Sequence, residues 1–378
     1  MIRVRVRLRR ALDESHDILI GRGLGPRISV DLRRRRLGRR YIIVTDSHLK
    51  QRYGVSMRAA FRRRGLAADL LAFRAGEASK TRRVRDRLED AIIALGAGRD
   101  SVLVALGGGV VGDLTGFVAA TFNRGIPVVQ IPTTLTGMVD SAIGGKTGIN
   151  HPAGKNFVGA FHQPAAIYMD VDYLRTLPPR HFNAGMAEVV KYGVIADRAL
   201  FLALETHLDR VQDRDPDVMS RVIESCCRIK ARVVATDPRE ENRRAILNFG
   251  HTVGHALETL TGYALAHGEA VAIGMVAEAA LAARAGLLAA ATVGRIARLL
   301  ARLHLPTSLP SSIDPVALLR VAHRDKKARQ GRIAYALPVR LGAMAHVAGS
   351  YAIPVEDGAA VQTLREMVHP RRFVIPSA

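Results

Sequence analysis

Ser101-Val-Leu-Val-Ala-Leu-Gly-Gly-Gly-Val-Val-Gly-Asp113, running on into Leu114-Thr-Gly-Phe-Val-Ala-Ala120, decides the fold. The apolar run 101–106 reads as a strand, the glycines as a sharp turn, and the segment after Asp113 as a helix. Gly107, Gly109 and Gly112 match G-x-G-x-x-G, in which glycines let the backbone approach a pyrophosphate. The helix N-terminus behind them offers free N–H groups and a positive dipole. Glycine-rich turns of this kind also arise merely to pack a helix closely. The acidic ribose partner expected about 20 residues on is absent, since that stretch is Ile126-Pro-Val-Val-Gln-Ile-Pro132. A better candidate is Asp46, at the end of the run 41–45; capping the helix after it is the competing role.

Further apolar runs lie at Tyr41-Ile-Ile-Val-Thr45, Pro127-Val-Val-Gln-Ile131 and Ala166-Ile-Tyr-Met-Asp170, with helix-compatible stretches such as 81–95 and 112–122 between them. Strands alternating with helices predict a mainly parallel, Rossmann-like sheet wrapped by helices. From about residue 183 the strand signal nearly vanishes and helical spacing dominates. The expected plan is an α/β part over 1–178 and an all-α part over 179–378, joined near Thr176-Leu-Pro-Pro-Arg180, with the active site in the cleft between them. The alternating start, Met1-Ile-Arg-Val-Arg-Val-Arg-Leu8, has the two-residue period of a half-buried strand and not the layout of a secretory signal.

With 378 residues and 48% apolar content the chain has ample material for a core, which excludes a disordered reading. The longest Ala-rich stretch, 270–301, is interrupted by Glu278, Arg284 and Arg295, so no membrane span is expected. The two cysteines, Cys226 and Cys227, are sequence neighbours, unsuited to bridging each other, and point to reduced cytoplasm. A net charge of +22 raises a nucleic-acid binder as a rival. The 48 arginines are nevertheless scattered, without zinc-finger spacing or interleaved aromatics, and only Arg33 to Arg36 with Arg39 and Arg40 forms a local patch, expected to be a solvated loop. Against that arginine bias the eight lysines stand out, and seven of them, all but Lys50, are among the candidate residues taken up below.

Three segments concentrate polar residues that a core would not choose. Asp140-Ser-Ala-Ile-Gly-Gly-Lys-Thr-Gly-Ile-Asn-His-Pro-Ala-Gly-Lys-Asn156 mixes a carboxylate, lysines and amides among glycines, which suits a phosphorylated, hydroxylated substrate. Glu188-Val-Val-Lys191 places a carboxylate and an ammonium on one helix face, and the flanking Ala, Val and Gly argue for burial. Asn248-Phe-Gly-His-Thr-Val-Gly-His-Ala-Leu-Glu258 carries His251 and His255 at the i,i+4 spacing that clamps a metal, so spacing alone favours both as ligands. A further histidine follows in His267-Gly-Glu269. Catalytic zinc takes three protein ligands and keeps an open position, and a carboxylate such as Glu188 would complete the set.

In this order the segments closely resemble the 3-dehydroquinate synthase family, from about Thr45 to Pro338. The resemblance is carried by GGGVVGDLTGF (107–117), IPTTL (131–135), VDSAIGGKTGINHPAGKNFVGAFHQP (139–164), AGMAEVVKYG (184–193), RRAILNFGHTVGHALE (243–258), HGEAVAIGM (267–275) and RDKK (324–327). It implies a divalent metal, Zn2+ or Co2+, held by Glu188, His251 and His267, which displaces the spacing-based choice of His255. It implies NAD contacts from Asp46, Glu77, Lys80, Gly109, Val110, Val111, Gly112, Asp113, Thr133, Thr134, Lys146, Lys155 and Thr176. Catalytic roles fall on Lys146, Lys191, Glu240, Arg244, Asn248 and His255, and substrate binding on Arg124, Asp140, Asn156, Lys230 and one of Lys326 and Lys327, with Lys326 preferred. Arg124 would cross a subunit boundary, implying a homodimer.

The implied reaction turns 3-deoxy-D-arabino-heptulosonate 7-phosphate into 3-dehydroquinate and phosphate. It proceeds by transient oxidation by NAD, phosphate elimination, re-reduction, ring opening and internal aldol closure. Two departures from the family pattern, Arg74-Ala75 before Gly76-Glu77 and Gly137-Met138 before Val139-Asp140, bear on cofactor affinity more than on reaction type. The rivals are a sister sugar-phosphate cyclase of secondary metabolism and a metal-dependent polyol dehydrogenase. Asn156, Lys230, Asn248 and His255 together favour dehydroquinate over the sister products.

Overall fold

The computed structural model describes residues 13–152, 154–238, 240–324 and 333–368. The expected N-terminal strand over 1–8, the lysines Lys326 and Lys327, and the tail from His369 lie outside the described residues. The first half runs β1 (Asp17–Gly21), α1 (Gly25–Arg35), β2 (Arg40–Asp46), α2 (Val55–Arg63), β3 (Ala67–Phe73), α3 (Arg82–Ala94), β4 (Ser101–Gly107), α4 (Gly109–Thr121) and β5 (Val128–Pro132). A hairpin of β6 (Lys146–His151) and β7 (Gly154–Phe161) follows, and then β8 (Ala166–Asp170).

Six strands form one parallel sheet in the order β1-β8-β5-β4-β2-β3. β4 is buried along its whole length because helices cover both faces, which is why it reads as an uninterrupted apolar run. The side on which successive strands are added reverses between β2 and β4, and ligands of open α/β sheets bind at the carboxyl ends flanking such a switch point. There Asp46 ends β2 and Gly107 ends β4. The neighbouring strand therefore precedes the glycine turn in sequence, which puts Asp46 and the turn at the same end of adjacent strands.

The four strands read from the sequence are all present, shifted by at most two residues at their ends. β1, β3 and the hairpin carry weaker patterns; the stretch 140–156 had read only as a polar, glycine-rich segment. Helix α4 begins at Gly109, inside the glycine motif, with Gly108 as its N-cap. The arginines at 33–35 end α1 and do not form a loop; cations at a helix C-terminus are favourable there, and Arg35 also pairs with Asp31 at 2.7 Å and Asp17 at 2.6 Å.

The second half comprises α5 (Pro179–Ile195), α6 (Arg198–Thr206), α7 (Leu208–Gln212), α8 (Pro216–Thr236), α9 (His251–Leu260), α10 (His267–Arg284), α11 (Ala290–Arg302), α12 (Pro315–Arg324) and α13 (Asp357–Val368). Before α13 come four strands of two or three residues, β9 (Ala334–Tyr335), β10 (Pro338–Arg340), β11 (Ala343–Met344) and β12 (Ile353–Pro354), paired as two small antiparallel ladders within the helical half. Among the described residues no helix is long and apolar enough to cross a membrane.

Close helix packing sets up the site. A Cβ on Gly268 would lie 1.9 Å from the Ala184 carbonyl oxygen, so α10 meets the backbone of α5 one turn before Glu188. One on Gly274 would lie 2.0 Å from the Gly250 oxygen, bringing α10 equally close to the start of α9. Glu278, which interrupts an apolar stretch in the sequence, is fully buried on α10; its carboxylate accepts from the Gly250 and Thr252 amides at 2.8 and 3.2 Å, capping the start of α9.

Candidate active site

Glu188 on α5, His251 at the first position of α9 and His267 at the first position of α10 converge, their ligand atoms all within 4.8 Å of one another. The Nε2 atoms of His251 and His267 lie 3.4 and 3.2 Å from Glu188 Oε1. Each ring's other nitrogen has an acceptor: His251 Nδ1 donates to the Phe249 carbonyl at 3.1 Å and His267 Nδ1 to Glu258 Oε2 at 3.3 Å. These bonds select the tautomer that presents Nε2 as a lone pair.

Glu188 is fully buried, and neither of its oxygens accepts a hydrogen bond of sound geometry, although the Lys191 ammonium lies in ion-pair contact with Oε2. A buried carboxylate facing two imidazole lone pairs is costly unless a cation sits among them, so this donor set fits a divalent metal with two nitrogen ligands and one oxygen ligand. The imidazole of His255, at i,i+4 from His251, stands 5.3 Å from that ring and 6.0 Å from His267, beside the cluster. It belongs instead to a second group within 4.8 Å, with Glu258 and His267. Spacing paired His251 with His255; tertiary packing pairs His251 with His267.

Buried charge dominates the electrostatics. Burial opposes ionisation of Glu188, but Lys191 and His251 hold its carboxyl well below the usual range. Burial, reinforced by Lys191, pushes His251 down to about 4. For His267 burial also works against protonation, yet Glu188 and Glu258 outweigh it and raise the ring to about 10, so the two carboxylates draw a positive charge to Nε2, which a proton or a divalent ion in its place can supply. Burial would raise Glu258, and His267 with Lys155 instead brings it down to about 2.

Several substrate candidates pair with one another between the two halves. Lys230 Nζ on α8 donates to Asp140 Oδ1 at 2.5 Å, and Tyr192 Oη to the same oxygen at 3.3 Å. Burial lowers Lys230 even so, while Lys230 and Lys191 hold Asp140 down against its own burial. Lys146, from the hairpin, pairs with Glu240 of the helical half. The Arg244 guanidinium is buried and donates to the Pro238 carbonyl at 3.0 Å and the Gly144 carbonyl at 3.5 Å; its backbone amide is held by Asp237 at 2.8 Å. Asn248 closes the same 3-10 turn, Arg243–Asn248. Arg124 is exposed in a turn where it and Asn123 have φ of 68° and 50°.

At the sheet crevice Asp46 Oδ1 accepts from the His48 and Leu49 amides at 2.9 and 3.1 Å, so it does cap the following turn. At the N-terminus of α4 a Cβ on Gly108 would stand 2.9 Å from Thr134 Cγ2, and the Thr133 amide bonds the Gly107 carbonyl at 3.0 Å; the Thr134 hydroxyl accepts from the Gly137 amide at 3.1 Å. Lys80 contacts both Asp113 and Asn156, and burial nevertheless raises the Asp113 carboxyl. Glu77 accepts from Asn150 at 2.7 Å, and the Thr176 and Tyr53 hydroxyls meet at 2.5 Å. Because side chains alternate along β7, Asn156 turns toward Lys80 while Lys155 reaches the helical half, pairing with Glu258 at 2.8 Å. Glu258, Glu278 and Tyr192 were missed as site residues. Only Glu258 carried a signal, seven residues after His251 and so on the same helix face.

Fold and cluster together define a class: an α/β enzyme whose sheet crevice suits a dinucleotide and whose facing helices suit a divalent ion. Residues 70–184 match the family model "3-dehydroquinate synthase N-terminal" and residues 185–328 the model "3-dehydroquinate synthase C-terminal". The chain belongs to the 3-dehydroquinate synthase family. It is 49% identical over 332 residues to the 3-dehydroquinate synthase of Symbiobacterium thermophilum, covering 87% of this chain and 93% of that one. Among solved structures it is similar to ValA, a 2-epi-5-epi-valiolone synthase from Streptomyces hygroscopicus subsp. jinggangensis with NAD+ and Zn2+ bound. That match has a TM-score of 0.88 at 28% identity and covers 97% of this chain and 100% of that one. It also resembles a 2-deoxy-scyllo-inosose synthase complexed with carbaglucose-6-phosphate, NAD+ and Co2+, with a TM-score of 0.85 at 28% identity, covering 93% and 96%. Both of these are sister cyclases, and the far higher identity to dehydroquinate synthases decides against that rival.

Proposed function

We propose that the chain converts 3-deoxy-D-arabino-heptulosonate 7-phosphate to 3-dehydroquinate and inorganic phosphate, as a phosphorus–oxygen lyase using NAD and Zn2+ or Co2+. The observation that carries this reading is the meeting of Glu188, His251 and His267 beside Lys191, whose ammonium pairs with Glu188, and Lys230, paired with Asp140. Residues 1–178 form the NAD-binding part and 179–378 the metal- and substrate-binding part. When bound, the ion supplies Lewis-acid polarisation of a substrate hydroxyl, and NAD supplies oxidation and re-reduction within one turnover.

The chain's own residues position the substrate. Lys146, Lys191, Lys230 and Arg244 match the two anionic ends of a sugar-acid phosphate, with Asp140, Asn156, Asn248 and Glu240 available to its hydroxyls. Holding both ends keeps the flexible ring-opened form aligned for aldol closure. His255 stands on the substrate side of the cluster, near the place of the phosphate, and Lys326 belongs to the same set. Asp46, Glu77, Lys80, Gly109 to Asp113, Thr133, Thr134, Lys146, Lys155 and Thr176 form the cofactor set. The exposed Arg124 reaches the phosphate of a second subunit in a homodimer, and the buried thiols of Cys226 and Cys227 suit the reducing cytoplasm.

Incubation with the heptulosonate phosphate and catalytic NAD tests the reading. Phosphate release without net NADH, abolished by chelator and restored by Zn2+ or Co2+, is expected. Accumulation of NADH would instead identify a dehydrogenase.

A further inference from the structure

Glu258 belongs to none of the sets above, yet the sheet half touches a metal ligand through it. It follows His251 by two helical turns on the same face of α9 and is 3% exposed. Both of its oxygens are engaged: Oε2 accepts from His267 Nδ1 at 3.3 Å and Oε1 from Lys155 Nζ at 2.8 Å. Lys155 opens β7 of the hairpin, and its ammonium also lies 4.1 Å from the ring centre of Tyr263, just beyond α9. The chain of contacts therefore runs from the hairpin of one half, through a buried carboxylate, to the imidazole of the other.

We infer that Glu258 is a positioning residue, fixing His267 in the tautomer and orientation that present Nε2 beside Glu188, and that Lys155, bound to the same carboxylate, couples the seating of the β6–β7 hairpin to that ligand. The inference rests on the reading of Glu188, His251 and His267 as the metal set. An imidazole ligand whose distal N–H is held by a carboxylate keeps its orientation and is a more basic donor. A carboxylate buried this deeply needs its own cation, which Lys155 supplies. His255, Glu258 and His267 lie close enough to bind an ion themselves. Two features favour the positioning role: the Lys155 ammonium occupies one Glu258 oxygen, and the other is taken by the histidine N–H.

The test is titration of the metal-stripped chain with Co2+ in competition with a chromophoric chelator, read together with the visible Co2+ absorption. Glu258→Gln is expected to weaken Co2+ binding about 10- to 100-fold and to shift the absorption band, with one Co2+ per chain retained at saturation. Lys155→Met, on a partly exposed hairpin residue, is expected to weaken binding less, and its effect should vanish in the Glu258→Gln background. Wild-type affinity and spectrum in Glu258→Gln would overturn the inference. So would two Co2+ per wild-type chain falling to one in Glu258→Gln, which would make Glu258 a ligand. Should Glu258→Gln not fold, Lys155→Met decides alone: an unchanged Co2+ affinity and spectrum would overturn the inference. Glu188→Gln separates the two readings, since Co2+ binding undiminished there would remove the metal set itself, whatever Glu258 does.

Discussion

The sheet crevice and the helical cluster face each other and are built on opposite principles. At the crevice the groups proposed to meet the cofactor are largely backbone: the amides from Gly109 to Val111 at the start of α4, with hydroxyls and one capping aspartate around them. In the cluster the ligand groups are side chains buried with their charge, Glu188 and Lys191 being almost wholly inaccessible. Backbone donors at a helix start are present whatever the side chains, whereas buried charges hold only if every partner is in place. Small perturbations should therefore be absorbed at the crevice and amplified in the cluster.

Removing the central carboxylate should have the largest effect. Glu188→Gln strips one ligand and leaves Lys191 without its counter-ion, so phosphate release should fall on the order of 1,000-fold, as expected for several kcal/mol of Lewis-acid stabilisation. Bound metal measured by atomic absorption should fall with it; full activity at full metal content would end the assignment. Next comes Gly268→Ala, which forces a methyl against the Ala184 carbonyl. It should cost about 1–3 kcal/mol in denaturant unfolding and weaken metal binding, since α5 and α10 each carry a proposed ligand. An unchanged unfolding midpoint would mean that the close helix contact does not set the site.

A smaller effect is expected from Asp237, whose carboxylate holds the Glu241, Asn242 and Arg244 amides and so the turn carrying the buried guanidinium. Burial would raise its pKa, but those bonds and Arg244 bring it below the ordinary aspartate value. With the folded value depressed, its contribution is present in full above that ordinary value and is lost as pH falls through the folded one. Asp237→Asn should therefore cost about 1–2 kcal/mol near pH 7, with the gap to wild type closing in unfolding curves below about pH 4. A gap that persists undiminished into acid would assign the loss to packing and not to the charge.

The smallest effect is expected at the crevice. In Gly112→Ala the new methyl would stand 2.9 Å from Gln130 Oε1, the movable end of a side chain, and gains helix propensity, so the net cost should stay under about 1 kcal/mol. A loss equal to that of Gly268→Ala would erase the contrast between the two regions.

Much of the sheet half was legible because buried parallel strands are written as continuous apolar runs, and β2, β4, β5 and β8 were read that way. β3, Ala67–Phe73, carries Asp69 and an exposed start at the sheet edge, and so lacked that pattern. The hairpin was obscured by its glycines, two of which, Gly148 and Gly159, allow its strands to cross at backbone contact. In the cluster the residue types were legible but their pairing was not: His251 and His255 share a helix face, and the ring that joins His251 at Glu188 comes from the next helix.

Local order along the chain was enough to establish an α/β sheet with a glycine turn, a helical remainder, and a stock of carboxylates, imidazoles and lysines too polar for a core. Tertiary structure alone decided which of them meet. Ligand geometry depends on how α5, α9 and α10 cross, and those crossings are set by contacts such as Gly268 on Ala184 and Gly274 on Gly250, between residues distant or unremarked in sequence. A one-dimensional pattern records periodicity along an element, while the distance between two elements is set by the size of side chains on both.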